Sequence, residues 1–82
     1  MPIEIKCKKD RDELYWRERC IDIMFLRIPA EYREKVTERY LEIFRETFEK
    51  TWSHIKAYDE VFKRLSKEFD IKIIIEDGNN EH

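Results

Sequence analysis

Apolar side chains recur at every second residue near both ends of the chain and at every third or fourth residue between. Residues 3–7 read Ile-Glu-Ile-Lys-Cys, the period of a strand with Ile3, Ile5 and Cys7 on one face. Asp10 followed three residues later by Glu13 resembles a capping box, so a helix is expected to begin near Arg11. It should stop at about Ile28, because the ring of Pro29 disfavours helical geometry in the residue before it. Between Cys20 and Ile28 apolar side chains point almost all the way round, the pattern of a helix buried on more than one side.

Pro29 suits the first position of a second helix, and Glu31 complements its positive end. At 100° per residue, Tyr32, Val36, Tyr40, Ile43, Phe44, Thr47, Phe48, Thr51, Trp52 and Ile55 fall in one broad arc, which predicts a long amphipathic helix. Neither Gly nor Pro interrupts the chain from Ala30 to Phe69, yet one helix of that span would be about 60 Å long, too long for so small a globule. A break is therefore expected at Thr51-Trp52-Ser53 or at Ala57-Tyr58-Asp59. Ser53 and Asp59 are both good caps, and Asp59 is the preferred one. A third helix then carries Val61, Phe62, Leu65 and Phe69, and the β-branched residues 70–76 form a second strand.

The expected fold class is α+β and mostly helical. Its order is β-α-α-α-β, with a two-stranded sheet packed on a helical layer built around one long central helix. Residues 1–76 form a single compact domain and residues 77–82 a flexible polar tail. A two-stranded ribbon is marginal alone and keeps two open edges. With Ile71, Ile73 and Ile75 on one face, Ile74 is left on the face that should be wet. A homodimer through the second strand or the first helix would cover such residues.

The chain has 82 residues, of which 44% are charged, but the net charge is only −2 and 41% are apolar. Two Trp, four Tyr and five Phe supply a core, so the chain should fold as one small domain. A domain of this size buries only about 60–65% of its unfolded surface, so a partner that covers apolar area would add stability. No run of 18 apolar residues exists and the amino terminus is charged, so the expected location is cytoplasmic, with no membrane role. The even charge balance lacks the basic excess of a nucleic-acid binder. Cys7 and Cys20 are no disulfide framework and are expected to be free thiols.

Assignable chemistry is missing. There is no P-loop, no glycine-rich dinucleotide turn and no serine elbow, and Gly78 is the only glycine. A zinc site would have to recruit Cys7, Cys20, His54 and a fourth ligand from separate elements without a Cys-x-x-Cys pair. No metal and no cofactor are expected. Pro2 to Lys6 resembles the opening of the tautomerase family, which implies Pro2 as a catalytic base once Met1 is removed. That family places its next strand after a single helix, whereas here the whole helical region intervenes. No catalytic residue is assigned and no enzymatic activity is expected.

The helical surface is richer. Glu34, Glu38, Glu42 and Glu46 recur at i+4 and form one acidic stripe, with Glu31 and Glu49 on the same arc and Lys35, Arg39 and Arg45 diluting it. Like charges at that spacing cost a few tenths of a kcal/mol each, so a basic partner would relieve them. Tyr15, Trp16, Tyr32, Tyr40, Trp52 and Tyr58 are more amphipathic aromatics than a small core absorbs. Trp16 and Trp52 are the expected partly exposed anchors. Lys6, Lys8, Lys9 and Arg11, with Lys63, Arg64 and Lys67, are the alternative: two basic clusters that would hold a phosphate backbone, with Tyr15 and Trp16 stacking on bases.

The expected function is therefore non-enzymatic. The acidic and aromatic helical surface docks on another protein with a basic surface, as an inhibitor or adaptor. Nucleic-acid binding through the basic clusters is the alternative. In size, acidic lean and scarcity of glycine the chain resembles phage-encoded inhibitors of host defence such as anti-CRISPR proteins. That resemblance implies an inhibitory protein contact and rests on no shared motif.

Overall fold

The computed structural model describes residues 2–77. Strands β1 (Ile3–Lys9) and β2 (Ile71–Asp77) pair in parallel, with Ile3 opposite Ile71 and Lys9 opposite Asp77. Parallel strands need a long crossover, and helices α1 (Glu13–Arg27), α2 (Ala30–Thr51) and α3 (His54–Glu68) supply it. The chain thus adopts the α+β, mostly helical β-α-α-α-β order expected of it. Asp77, assigned above to the tail, belongs to β2; the rest of that tail, residues 78–82, lies outside the described residues.

The register sets Ile3, Ile5 and Cys7 on the same face as Ile71, Ile73 and Ile75. Trp16, Cys20, Ile21 and Met24 of α1 and Val61, Phe62 and Leu65 of α3 close over that face to form the core. The other face pairs Glu4 with Lys72 and Lys8 with Glu76, opposite charges that suit a wet surface, while Lys6 stands opposite half-buried Ile74. Helix α3 buries Ala57, Tyr58, Val61, Phe62 and Leu65 and touches α1, α2 and β2. Helix α2 is about 33 Å long but buries only Val36 and Ile43, so most of its surface faces away from the core.

Two boundaries differ from expectation, each for a local reason. Helix α1 is capped by Asp12, whose carboxylate accepts from the amides of Leu14 and Tyr15 at 3.1 and 2.7 Å. Asp10 and Arg11 lie outside it, because Arg11 takes a left-handed turn at φ 64° that no helix can include. The break between α2 and α3 falls at Trp52-Ser53 and not at Asp59. There the Ser53 hydroxyl accepts from the Lys56 amide at 3.1 Å, and Thr51 Oγ1 accepts from the Ser53 amide at 3.2 Å. Asp59 sits inside α3 and instead binds Arg17 of α1, at 2.8 and 3.3 Å.

Cys7 and Cys20 are joined by a disulfide, which corrects the expectation of free thiols. Cys7 points inward from β1 and Cys20 lies on the buried face of α1, so their Cα atoms come within 5.4 Å. Sequence spacing alone carries no sign of this approach. It follows from α1 lying directly on β1.

Candidate functional site

A row of aromatic side chains runs along α2 and ends on exposed Trp52. Tyr40, Phe44, Phe48 and Trp52 recur at every fourth residue and touch in sequence, with ring centroids 6.0, 6.2 and 5.4 Å apart. Helix α3 buttresses the row: Tyr58 meets Phe44 edge-on at 4.9 Å and His54 lies against Phe48 at 4.7 Å. Tyr40, Phe44 and Phe48 are half-buried, whereas Trp52 is 78% exposed. Leu41 is 54% exposed. Eleven residues separate it from Trp52, close to three whole helical turns, so the two share one line of the surface.

Trp52 also ends α2 in a left-handed conformation, φ 54° and ψ 30°, with its amide bonded to the Phe48 carbonyl at 2.8 Å. Glycine is the usual occupant of such a position, since any Cβ crowds the carbonyl. Gly78 is the only glycine in the chain, and among the described residues Arg11, Trp52 and Asp70 fill the three left-handed positions. Asp is tolerated there because its short polar side chain bonds locally; a bulky indole has no such excuse.

The acidic stripe borders this row. Glu34, Glu38, Glu42 and Glu46 are all exposed, as expected. Two of them are spoken for: Glu42 pairs with Arg39 at 3.0 Å and Glu46 with Arg64 of α3 at 3.7 Å. Glu34, Glu38 and Glu49 have no ion-pair partner among the described residues. Glu42, Arg45, Glu46 and Glu49 line one shallow cleft of about 320 Å³. At the far end Arg39 grips Glu68 through two bonds of 2.7 Å. Those bonds hold the Glu68 carboxyl below its ordinary range. Burial raises the phenols of Tyr40 and Tyr58; their mutual contact raises Tyr58 further, and Glu18 and Asp22 add to both, so the two are neutral.

Trp16 is corrected. It is only 3% exposed, its indole N–H donates to Glu13 at 3.3 Å, and Arg17 stacks on its ring at 4.2 Å, so it is a core residue rather than a presented anchor. The helical pattern that buries Cys20 and Met24 also carries Trp16 inward.

The basic residues divide. Lys6 and Lys8 join Asp10, Tyr15, Trp16, Arg19 and Ile23 around a cleft of about 250 Å³. Lys9 lies over the Trp16 ring and Arg11 over Tyr15, at 5.8 and 4.8 Å. None of the three basic residues of α3 lines that cleft. Arg64 is held by Glu60 at 2.9 Å and by Glu46, Lys67 lines a separate cleft with Tyr32, Glu68 and Asp70, and Lys63 is exposed. Sequence reasoning missed Leu41 and Arg19. The helical phase shared by Leu41 and Trp52 was the available signal for the first; the second needed knowledge of which strand α1 lies on.

Among the described residues no group of three or more His, Cys, Asp or Glu is arranged to hold a metal, and no helix is long and apolar enough to cross a membrane. Pro2 is exposed and lines none of the three clefts. Set against known proteins, the chain matches no family model, no curated protein and no solved structure.

Proposed function

We propose that this protein acts without catalysis, by docking the aromatic and acidic face of α2 on a protein with a basic surface, as an inhibitor or adaptor. The observation that carries the reading is Trp52: 78% exposed, in a backbone conformation that favours glycine, on one line with exposed Leu41 and beside unpaired carboxylates. Contiguous apolar patches rimmed by charge mark interaction sites, and Trp is enriched among the residues that dominate binding energy. Glu34, Glu38 and Glu49 would steer a basic partner and set its register.

A disulfide persists in an oxidising compartment and is rare in a reducing cytosol, so the Cys7–Cys20 link counts against the cytoplasmic location expected from the sequence.

The reading is tested by capturing binding proteins on the immobilised chain after nuclease treatment, then titrating the purified partner by calorimetry. Trp52→Ala should weaken the complex by about tenfold or more, and Glu38→Lys with Glu49→Lys should weaken it in a salt-dependent way. Equal affinity for all three proteins, or loss of the complex on nuclease treatment, would refute it.

A further inference from the structure

From a second surface, independent of the α2 face, we infer that the free edge of β1 is a docking site for an extended acidic peptide, which adds to the sheet as a third strand. Lys6 and Lys8 stand on the outer face of the sheet, whereas Tyr15, Arg19 and Ile23 belong to the helix packed on its inner face, tied there by Cys7–Cys20. Both sets line one cleft, and they can meet only across the edge of β1 that β2 does not cover.

That edge offers backbone groups. The Ile3 amide donates to Asp70 of the β2 side at 3.0 Å. In a parallel pair the amide and carbonyl of alternate residues turn to the same side, so those of Ile5 and Cys7 face β2 while those of Glu4, Lys6 and Lys8 face outward. Among the described residues only the Lys8 carbonyl is engaged, accepting from the Asp10 amide at 2.9 Å. A peptide strand satisfies such a row with main-chain hydrogen bonds and sends alternate side chains to opposite faces.

The side chains around the cleft select its occupant. Lys6, Lys8 and Arg19 share the lining with one carboxylate, Asp10, while Glu76 lies opposite Lys8 across the sheet, and among the described residues none of the three cations is in an ion pair. Carboxylates at every second position of the incoming strand meet these cations, and the residues between them meet Tyr15 and Ile23. A second copy of this chain is disfavoured, since edge-to-edge docking brings two clefts of like charge together. A nucleic-acid strand is disfavoured too: Trp16 is buried, one face of Tyr15 is taken by Arg11, and outward peptide groups complement a peptide better than a phosphate chain.

The test is an NMR titration of the full chain, cross-link intact, with a capped hexapeptide alternating glutamate and valine. Saturable shifts and new exchange protection are expected at the amides of Glu4, Lys6 and Lys8. Lys6→Glu with Lys8→Glu, both exposed, should weaken binding by about tenfold or more, and N-methylation of alternate peptide amides should abolish it. Trp52→Ala should bind the hexapeptide as the wild type does, which separates this inference from the reading of α2. The proposal is overturned if the shifts fall elsewhere, if N-methylation leaves affinity unchanged, or if a single-stranded oligonucleotide binds the same amides more tightly. Concentration-dependent shifts of these amides without peptide would mark self-association and overturn it as well.

Discussion

Trp52 leans edge-on against Phe48 with ring centroids 5.4 Å apart, yet its indole stays largely in solvent and its backbone sits at φ 54°. A left-handed conformation costs a residue with a Cβ roughly 1–2 kcal/mol, and one aromatic contact returns about 0.5–1.5 kcal/mol. The fold therefore gains little or nothing from tryptophan at this position. Trp52→Gly is expected to hold or raise stability, by up to about 1 kcal/mol, which is a rise of about 4–8 °C in Tm for a domain of this size. Thermal unfolding measures it, and a loss of more than about 2 kcal/mol would show that the indole is a structural residue.

Two hydroxyl and carboxylate caps decide where the helices begin. Ser53→Ala and Asp12→Ala should each cost about 1 kcal/mol in chemical denaturation, because each leaves an orphan helical amide without its acceptor. Asp10→Ala, outside the helix it was expected to cap, should change stability by less than about 0.5 kcal/mol.

The Cys7–Cys20 link closes a loop across a sequence separation of 13 and ties β1 to α1. Constraining the unfolded chain to that extent is worth about 3 kcal/mol in the chain-entropy picture. Cys7→Ala with Cys20→Ala is expected to lower stability by about 2–4 kcal/mol, and reduction of the wild type should do the same. Mass spectrometry of alkylated protein before and after reduction reports the linkage. Two free thiols in the folded, unreduced protein would contradict it.

Arg39 and Glu68 brace α2 against the end of α3, and their bonds hold the Glu68 carboxyl below its ordinary value of 4.5. Arg17 does the same for Glu13, through a hydrogen bond to which Trp16 adds another. A carboxyl whose pKa is depressed in the folded state binds its proton more readily when unfolded. Stability from these groups is therefore complete above 4.5 and is lost as the pH falls through their lower folded values. Glu68→Gln should flatten the acid limb of a stability-versus-pH curve while costing less than about 1 kcal/mol at neutral pH, since the pair is partly solvated.

Much of the fold was legible in local patterns. The two-residue period of Ile3-Ile5-Cys7 and the long arc from Tyr32 to Trp52 identify β1 and α2 directly, and Pro29 marks the end of α1. The starts were less legible because competing caps lie close together: Asp10 and Asp12, Ser53 and Asp59. The left-handed turns at Arg11 and Trp52, which decided both cases, are invisible where glycine does not announce them. Of the candidate surface, the exposure of Trp52 and of the four stripe glutamates followed from helical phase. The burial of Trp16, the pairing of Glu42 and Glu46 and the cleft beside Lys6 depend on which elements lie together, and spacing along the chain does not encode that.

The central claim is that the exposed indole on α2 is covered when this protein works. Trp16→Phe leaves Trp52 as the sole tryptophan, so its emission and its quenching by acrylamide can be followed while the captured partner is added. The account predicts a blue shift and a loss of quenching that saturate with the binding isotherm. An indole still fully quenched at saturating partner would contradict it.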